Sequence, residues 1–235
     1  MAEPNKTQFA DSDLQRAKVW WKEYGRAMVG GAVIGLSAVV GFNYWQHREQ
    51  TRVETASNLF EDLRDLVAME AGAAAADEEA DAVENEPAES GTAEAIESTA
   101  DRLMTDYPAT PYATHAAFVL AKHFVESGQL DQAGQALEWI LDNAEDSSLQ
   151  HIARLRLASV LLAKEETDSA ISLLQAQVND TAGFTALYNE LVGDAYLQNG
   201  DLVGARSAYQ SSMEQLPPES VGRFLIQLKL DGLGG

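Results

Sequence analysis

From Ala27 to Trp45 the chain reads AMVGGAVIGLSAVVGFNYW, a run without a single charge. A helix rising about 1.5 Å per residue carries such a run roughly 28 Å, close to the ~30 Å hydrocarbon core of a bilayer. Trp20, Trp21 and Tyr24 precede it and Tyr44 and Trp45 close it, rings that favour the headgroup level. The pattern predicts a single transmembrane helix over 27–45, behind an N-terminal segment 1–26. A buried helix of a globular core seldom runs this far without a charge. A signal peptide has a shorter apolar region and a small-residue cleavage site, where this chain continues into the polar QHREQ. Beyond it the period becomes helical and one-sided: Val53, Ala56, Leu59, Phe60, Leu63, Leu66 and Val67 fall at three- and four-residue steps. They predict an amphipathic helix over 46–70.

The apolar pattern then stops. Residues 71–95, AGAAAADEEADAVENEPAESGTAEA, contain no aromatic residue, and no Lys or Arg occurs between Arg64 and Arg102. One-sided charge and low complexity predict an acidic, solvated loop, with the alanine run marginally helical at most. Order resumes at Ile96, and DYPATPYA breaks the chain. Pro111 suits the first turn of a helix capped by Thr110.

From here the pattern repeats. Ala121, Phe124, Gly128, Ala133 and Leu137 are followed by Ala158, Leu161, Ala170 and Leu174, then by Gly193, Tyr196, Gly200, Ala205 and Tyr209, all in one register. Small residues on the first helix of a unit (Ala121, Ala158, Gly193) and on the second (Ala133, Ala170, Ala205) let the two cross closely. A larger residue four later fills the gap, and a turn glycine permits positive φ. The second unit carries Glu165 where the others have that glycine. This predicts an all-α helical-repeat solenoid over 96–235, with repeats near 114–145, 151–180 and 186–217. After Pro217-Pro218, Val221, Phe224, Leu225, Leu228 and Leu230 predict a capping helix over 219–230 that covers the last apolar surface.

The concave side of such a solenoid is lined by the first helix of each unit. Those positions are His115, Phe118, Lys122 and Val125, then Ile152, Leu155, Ser159 and Leu162, then Leu187, Glu190, Asp194 and Leu197; Phe118, Val125, Ile152, Leu155, Leu162 and Leu197 make the surface apolar. Either a partner's segment lies there or the C-terminal helix folds back into it. In the apolar run, Gly31 and Gly35 stand four apart; they admit a second helix, or reflect the ordinary tolerance of membrane helices for glycine.

Charge sharpens the picture. Net charge is −21 over 235 residues, yet residues 1–45 hold five Lys/Arg against four acids. The acidic remainder repels phosphate backbones, which argues against nucleic acid as partner. Arg16, Lys18, Lys22 and Arg26 precede the apolar run and Arg48 and Arg52 follow it, a bias that places the N-terminus in the cytoplasm. Cysteine is absent, so stability rests on packing. His47, His115, His123 and His151 form no HExxH, and no P-loop, GxGxxG or GxSxG occurs. The expectation is a non-enzymatic protein without metal or cofactor.

Three stretches, YGRAMVGGAVIGLSAVVGFNYWQHRE (24–49), NGDLVGARSAYQSSM (199–213) and LKLDGL (228–233), resemble the ancillary subunit family of the bacterial SecYEG translocon (YfgM-like, with a tetratricopeptide repeat-like domain). The acidic stretch departs from that pattern as an insertion. The resemblance implies a single-pass inner-membrane protein with a periplasmic domain and no catalytic residues. It implies as partners the SecYEG translocon and a membrane-anchored periplasmic chaperone of the peptidyl-prolyl isomerase type. An adaptor for that chaperone, a holdase binding unfolded clients in the groove, and an envelope scaffold unrelated to secretion all remain open.

Overall fold

The computed structural model describes residues 6–79, 86–176 and 183–234. All regular structure among them is helical: α1 (Lys6–Glu79), α2 (Glu86–Asp106), α3 (Pro111–Glu126), α4 (Leu130–Asn143), α5 (Ser147–Ala163), α6 (Thr167–Gln175), α7 (Thr185–Gln198), α8 (Leu202–Glu214) and α9 (Val221–Gly232). The chain forms two units, one up to Glu54 and one from Thr55 to Gly235.

In the first unit Trp20, Trp21, Tyr24, Val39, Val40, Phe42 and Tyr44 are exposed, and the rings of Trp20 and Tyr24 lie 6.1 Å apart. Among the described residues no helix is long and apolar enough to cross a membrane. The expected span 27–45 is helical in backbone, but many of its side chains lie outside the described residues.

The second unit is the repeat domain. The apolar stripe read from Val53 to Val67 buries Ala56 and Leu63 completely, in one core with Ile96, Ala100 and Leu103 of α2 and Ala116, Ala117 and Leu120 of α3. His123 of α3 is buried beneath the same helices, its Nδ1 3.3 Å from the Glu70 carboxylate. From α2 onward each helix packs on the next, and α5 also touches α7. That neighbour pattern makes α3–α4, α5–α6 and α7–α8 three successive hairpins.

The three hairpin turns share one construction. Gly128, Glu165 and Gly200 have φ of 73°, 63° and 76°. In each, the residue after this left-handed position donates its N–H five residues back: Gln129 to Phe124 O (2.7 Å), Glu166 to Leu161 O (2.8 Å) and Asp201 to Tyr196 O (2.9 Å). This is the glycine-type helix stop that satisfies the last carbonyls. Glu165 adopts it without a glycine, the only non-glycine residue with positive φ among those described.

Two expectations need correction. Helix runs on to Glu79 and resumes at Glu86, so the loop expected over 71–95 is helical at 71–79 and 86–95, while 80–85 lies outside the described residues. Alanine and glutamate are strong helix formers, and intrinsic propensity outweighed the low complexity there. Thr110 stands at the N-cap of α3 with Pro111 following, but its hydroxyl donates back to Tyr107 O at 2.8 Å and leaves the first turn uncapped by a side chain. Among the described residues, the side-chain caps that form are Asp146 on Ser148 N (2.8 Å), Asp201 on Gly204 N (2.9 Å) and Ser220 on Arg223 N (3.2 Å).

Candidate partner-binding groove

The groove depends on how closely paired helices approach. Ala133, Ala158, Ala170 and Ala205 are fully buried and Ala121 nearly so. Leu137, Leu174 and Tyr209 fill the space beside them, all buried. The third repeat is distinct: a Cβ on Gly193 would collide with the Tyr209 ring. Its glycine makes room for tyrosine where the other units pair alanine with leucine. Tyr209 donates its hydroxyl to Asp194 at 2.7 Å, so the larger ring brings a polar tie that leucine cannot.

With hairpins so stacked, α3, α5 and α7 line two neighbouring apolar cavities. The first, of about 360 Å³, is bordered by Ala121, Val125 and Lys122 of α3, by Leu137 of α4 and by Arg156 and Val160 of α5. The second, of about 340 Å³, is bordered by Ile152, Leu155 and Arg156 of α5 and by Leu187, Glu190, Leu191 and Asp194 of α7. Of the six apolar positions picked from the sequence, three border these adjoining cavities, which share Arg156 and Ser159. Val125 borders the first cavity; Ile152 and Leu155 border the second. Phe118 lies beneath the Arg156 guanidinium, whose carbon is 4.8 Å from the ring centroid. Leu162 packs partly into the core with Ala158 and Leu174, and Leu197 is exposed and borders neither cavity. Gly31 and Gly35 lie in the other unit, exposed, with open space where a Cβ would stand.

Sequence reasoning passed over Arg156 and Leu191. Both had a legible signal: Arg156 stands four residues after Ile152, and Leu191 four after Leu187, on the stripe that faces inward.

The far edge of the second cavity is electrostatically closed by the chain itself. Lys229 of α9 bonds Glu190 at 2.8 Å and Asp194 at 2.7 Å. Burial pulls the Lys229 ammonium's pKa down, but hydrogen bonds and charge attraction from Asp194 and Glu190 outweigh it, and the net shift is upward. Burial, followed by the hydrogen bond to Asp194, raises the Tyr209 phenol. So α9 does fold back, but it reaches only the third-repeat end; the two cavities stay open.

Its orientation also departs from expectation. Ile226 is fully buried and Leu233 nearly so, with Leu230 partly covered, against Ala205 and Tyr209. Val221, Phe224, Leu225 and Leu228 face outward, Val221 and Phe224 more than two-thirds exposed. Of the apolar stripe read as the inner face, only Leu230 turns inward. With the Ile226 face inward, Lys229 reaches Glu190 and Asp194.

The arrangement has the makings of a docking surface. Among the described residues no group of His, Asp or Glu could hold a metal ion. Comparison with known proteins agrees with the geometry. Residues 18–235 match the family of the tetratricopeptide repeat-like domain. The chain belongs to that family. Among curated relatives it is 28% identical over 221 residues to a protein of Neisseria gonorrhoeae, covering 94% of this chain and 95% of the relative. It is 25% identical over 223 residues to one of Escherichia coli (95% and 96% covered), and 24% over 223 residues to one of Haemophilus influenzae (95% and 97%). Each of the three is named an ancillary SecYEG translocon subunit. The similarity takes in nearly the whole tetratricopeptide repeat-like chain, first unit included.

Proposed function

We propose that this chain is a non-enzymatic ancillary subunit of the Sec translocon. Residues 27–45 cross the bacterial inner membrane with the N-terminus in the cytoplasm, and the repeat domain works in the periplasm. There its concave groove holds a membrane-anchored chaperone of the peptidyl-prolyl isomerase type beside emerging chains. The observation that carries this reading is the pair of open apolar cavities on the concave face of a repeat domain. The names of the relatives and the uncharged run at 27–45 support the setting. A tether confines both partners to two dimensions, so an interface with few anchors suffices.

The test is copurification from membranes. Leu155→Asp with Leu162→Asp should abolish recovery of the chaperone while translocon subunits still copurify through the membrane helix. Leu162 is partly in the core, so Leu187→Asp is the cleaner variant: Leu187 borders the second cavity and is 48% exposed. A folded Leu187→Asp protein that keeps its chaperone moves the interface to the Gly31–Gly35 face of the first unit. A second reading, a holdase for unfolded clients, is favoured by the outward apolar face of α9 (Val221, Phe224, Leu225, Leu228). Crosslinks from the groove and from α9 to one discrete membrane protein support the adaptor; a broad spread of nascent clients supports the holdase.

A further inference from the structure

Five charged residues border the two cavities: Lys122, Glu126, Arg156, Glu190 and Asp194. Four already take part in ion pairs. Lys122 bonds Glu126 at 2.9 Å, and Lys229 bonds both Glu190 and Asp194. Arg156 alone has no carboxylate within ion-pair distance among the described residues, in a chain whose net charge is −21. It is also the charged residue common to both cavities, held against the Phe118 ring.

An arginine left unpaired between two apolar cavities is a preorganised half of an ion pair. Its planar fork suits a carboxylate in two-point contact, and stacking on an aromatic ring limits the freedom it loses on binding. We propose that Arg156 makes the groove selective for a partner segment that presents an acidic side chain between apolar anchors on both sides. A terminal carboxylate fits less well: a chain ending at Arg156 would leave one of the two cavities unfilled. Elsewhere the acidic surface of the domain repels strongly acidic segments, so the preferred one carries an isolated Asp or Glu. This rests on the groove reading proposed above and adds the partner's chemistry to it.

The experiment uses the full chain in detergent micelles and an array of N-acetylated peptides of roughly a dozen residues. The peptides carry Leu, Ile or Phe on both sides of a central Glu, Gln, Lys or Leu, and a companion set ends at the central position with a free carboxylate. Central Glu should bind about tenfold or more tighter than Gln. Arg156→Gln should remove that difference, and Arg156→Glu should shift the preference to Lys, a gain that a misfolded variant cannot mimic. Binding indifferent to the central residue overturns the inference but leaves the groove in place. Binding that also survives Leu187→Asp removes the groove as well. A preference for the free terminal carboxylate, or no retained peptide at all, equally overturns it.

Discussion

At the residue scale the most informative position is Glu165. A side chain in the left-handed region costs roughly 1–2 kcal/mol relative to the right-handed helix, because Cβ crowds the following carbonyl. The turn is imposed by the hairpin, whose hydrogen bonds to Leu161 and Leu162 match those at Gly128 and Gly200. Glu165→Gly should therefore stabilise the domain, by about 0.5–1 kcal/mol after the added freedom of the unfolded chain is deducted. An unchanged or lower urea midpoint would mean that the turn is not strained. Gly193 makes the opposite case. Gly193→Ala drives a methyl into the Tyr209 ring and should cost about 1–3 kcal/mol. Adding Tyr209→Leu restores the alanine–leucine pairing of the other repeats and should recover part of that loss. A double-mutant cycle measures the coupling, and additive losses would refute the direct contact.

At the scale of the element, α9 separates sequence pattern from burial. Ile226→Ala should cost about 2–4 kcal/mol, as for a fully enclosed side chain, whereas Leu228→Ala should stay within about 0.5 kcal/mol. Equal effects would show that the helix packs by its other face. The Lys229 anchor adds a pH dependence. A lysine whose folded pKa is raised contributes stability that is fully present below its unfolded value of about 10.4 and is lost as pH rises through the folded value. Tyr209, raised by burial and by Asp194, titrates in the same sense, above about pH 10. Thermal midpoints should thus be insensitive to these two groups at neutral pH and fall in strong alkali. Lys229→Met should make the fall shallower.

For the whole molecule the question is which side of the membrane the repeat domain occupies. The proposed orientation, with the domain outside the cytoplasm, rests on four Lys/Arg before the uncharged run against two after it. Protease added to intact spheroplasts should then digest the chain beyond about Arg52. Protection of the domain until the membrane is lysed would reverse the orientation, and the secretion reading would fall with it.

Taken by itself, the sequence determined the features that repeat or accumulate locally: helices of period 3.6, three units in register, the proline and glycine breaks, and the uncharged run. These depend on neighbours a few residues apart. It also marked Glu165 as the odd turn and the concave stripe as apolar. What only the tertiary structure decided were choices between faces of comparable polarity. Helix α9 has two apolar stripes, and the one that is buried packs Ile226, Leu230 and Leu233 on α8 while Lys229 pairs with Asp194 and Glu190, which stand thirty-five and thirty-nine residues away in the chain. Arg156, which borders both cavities of the concave stripe, lies over Phe118, a contact across thirty-eight residues. Periodicity shows that a face is apolar. Which face finds a partner, and where a charge interrupts it, depends on contacts that exist only after the hairpins have stacked.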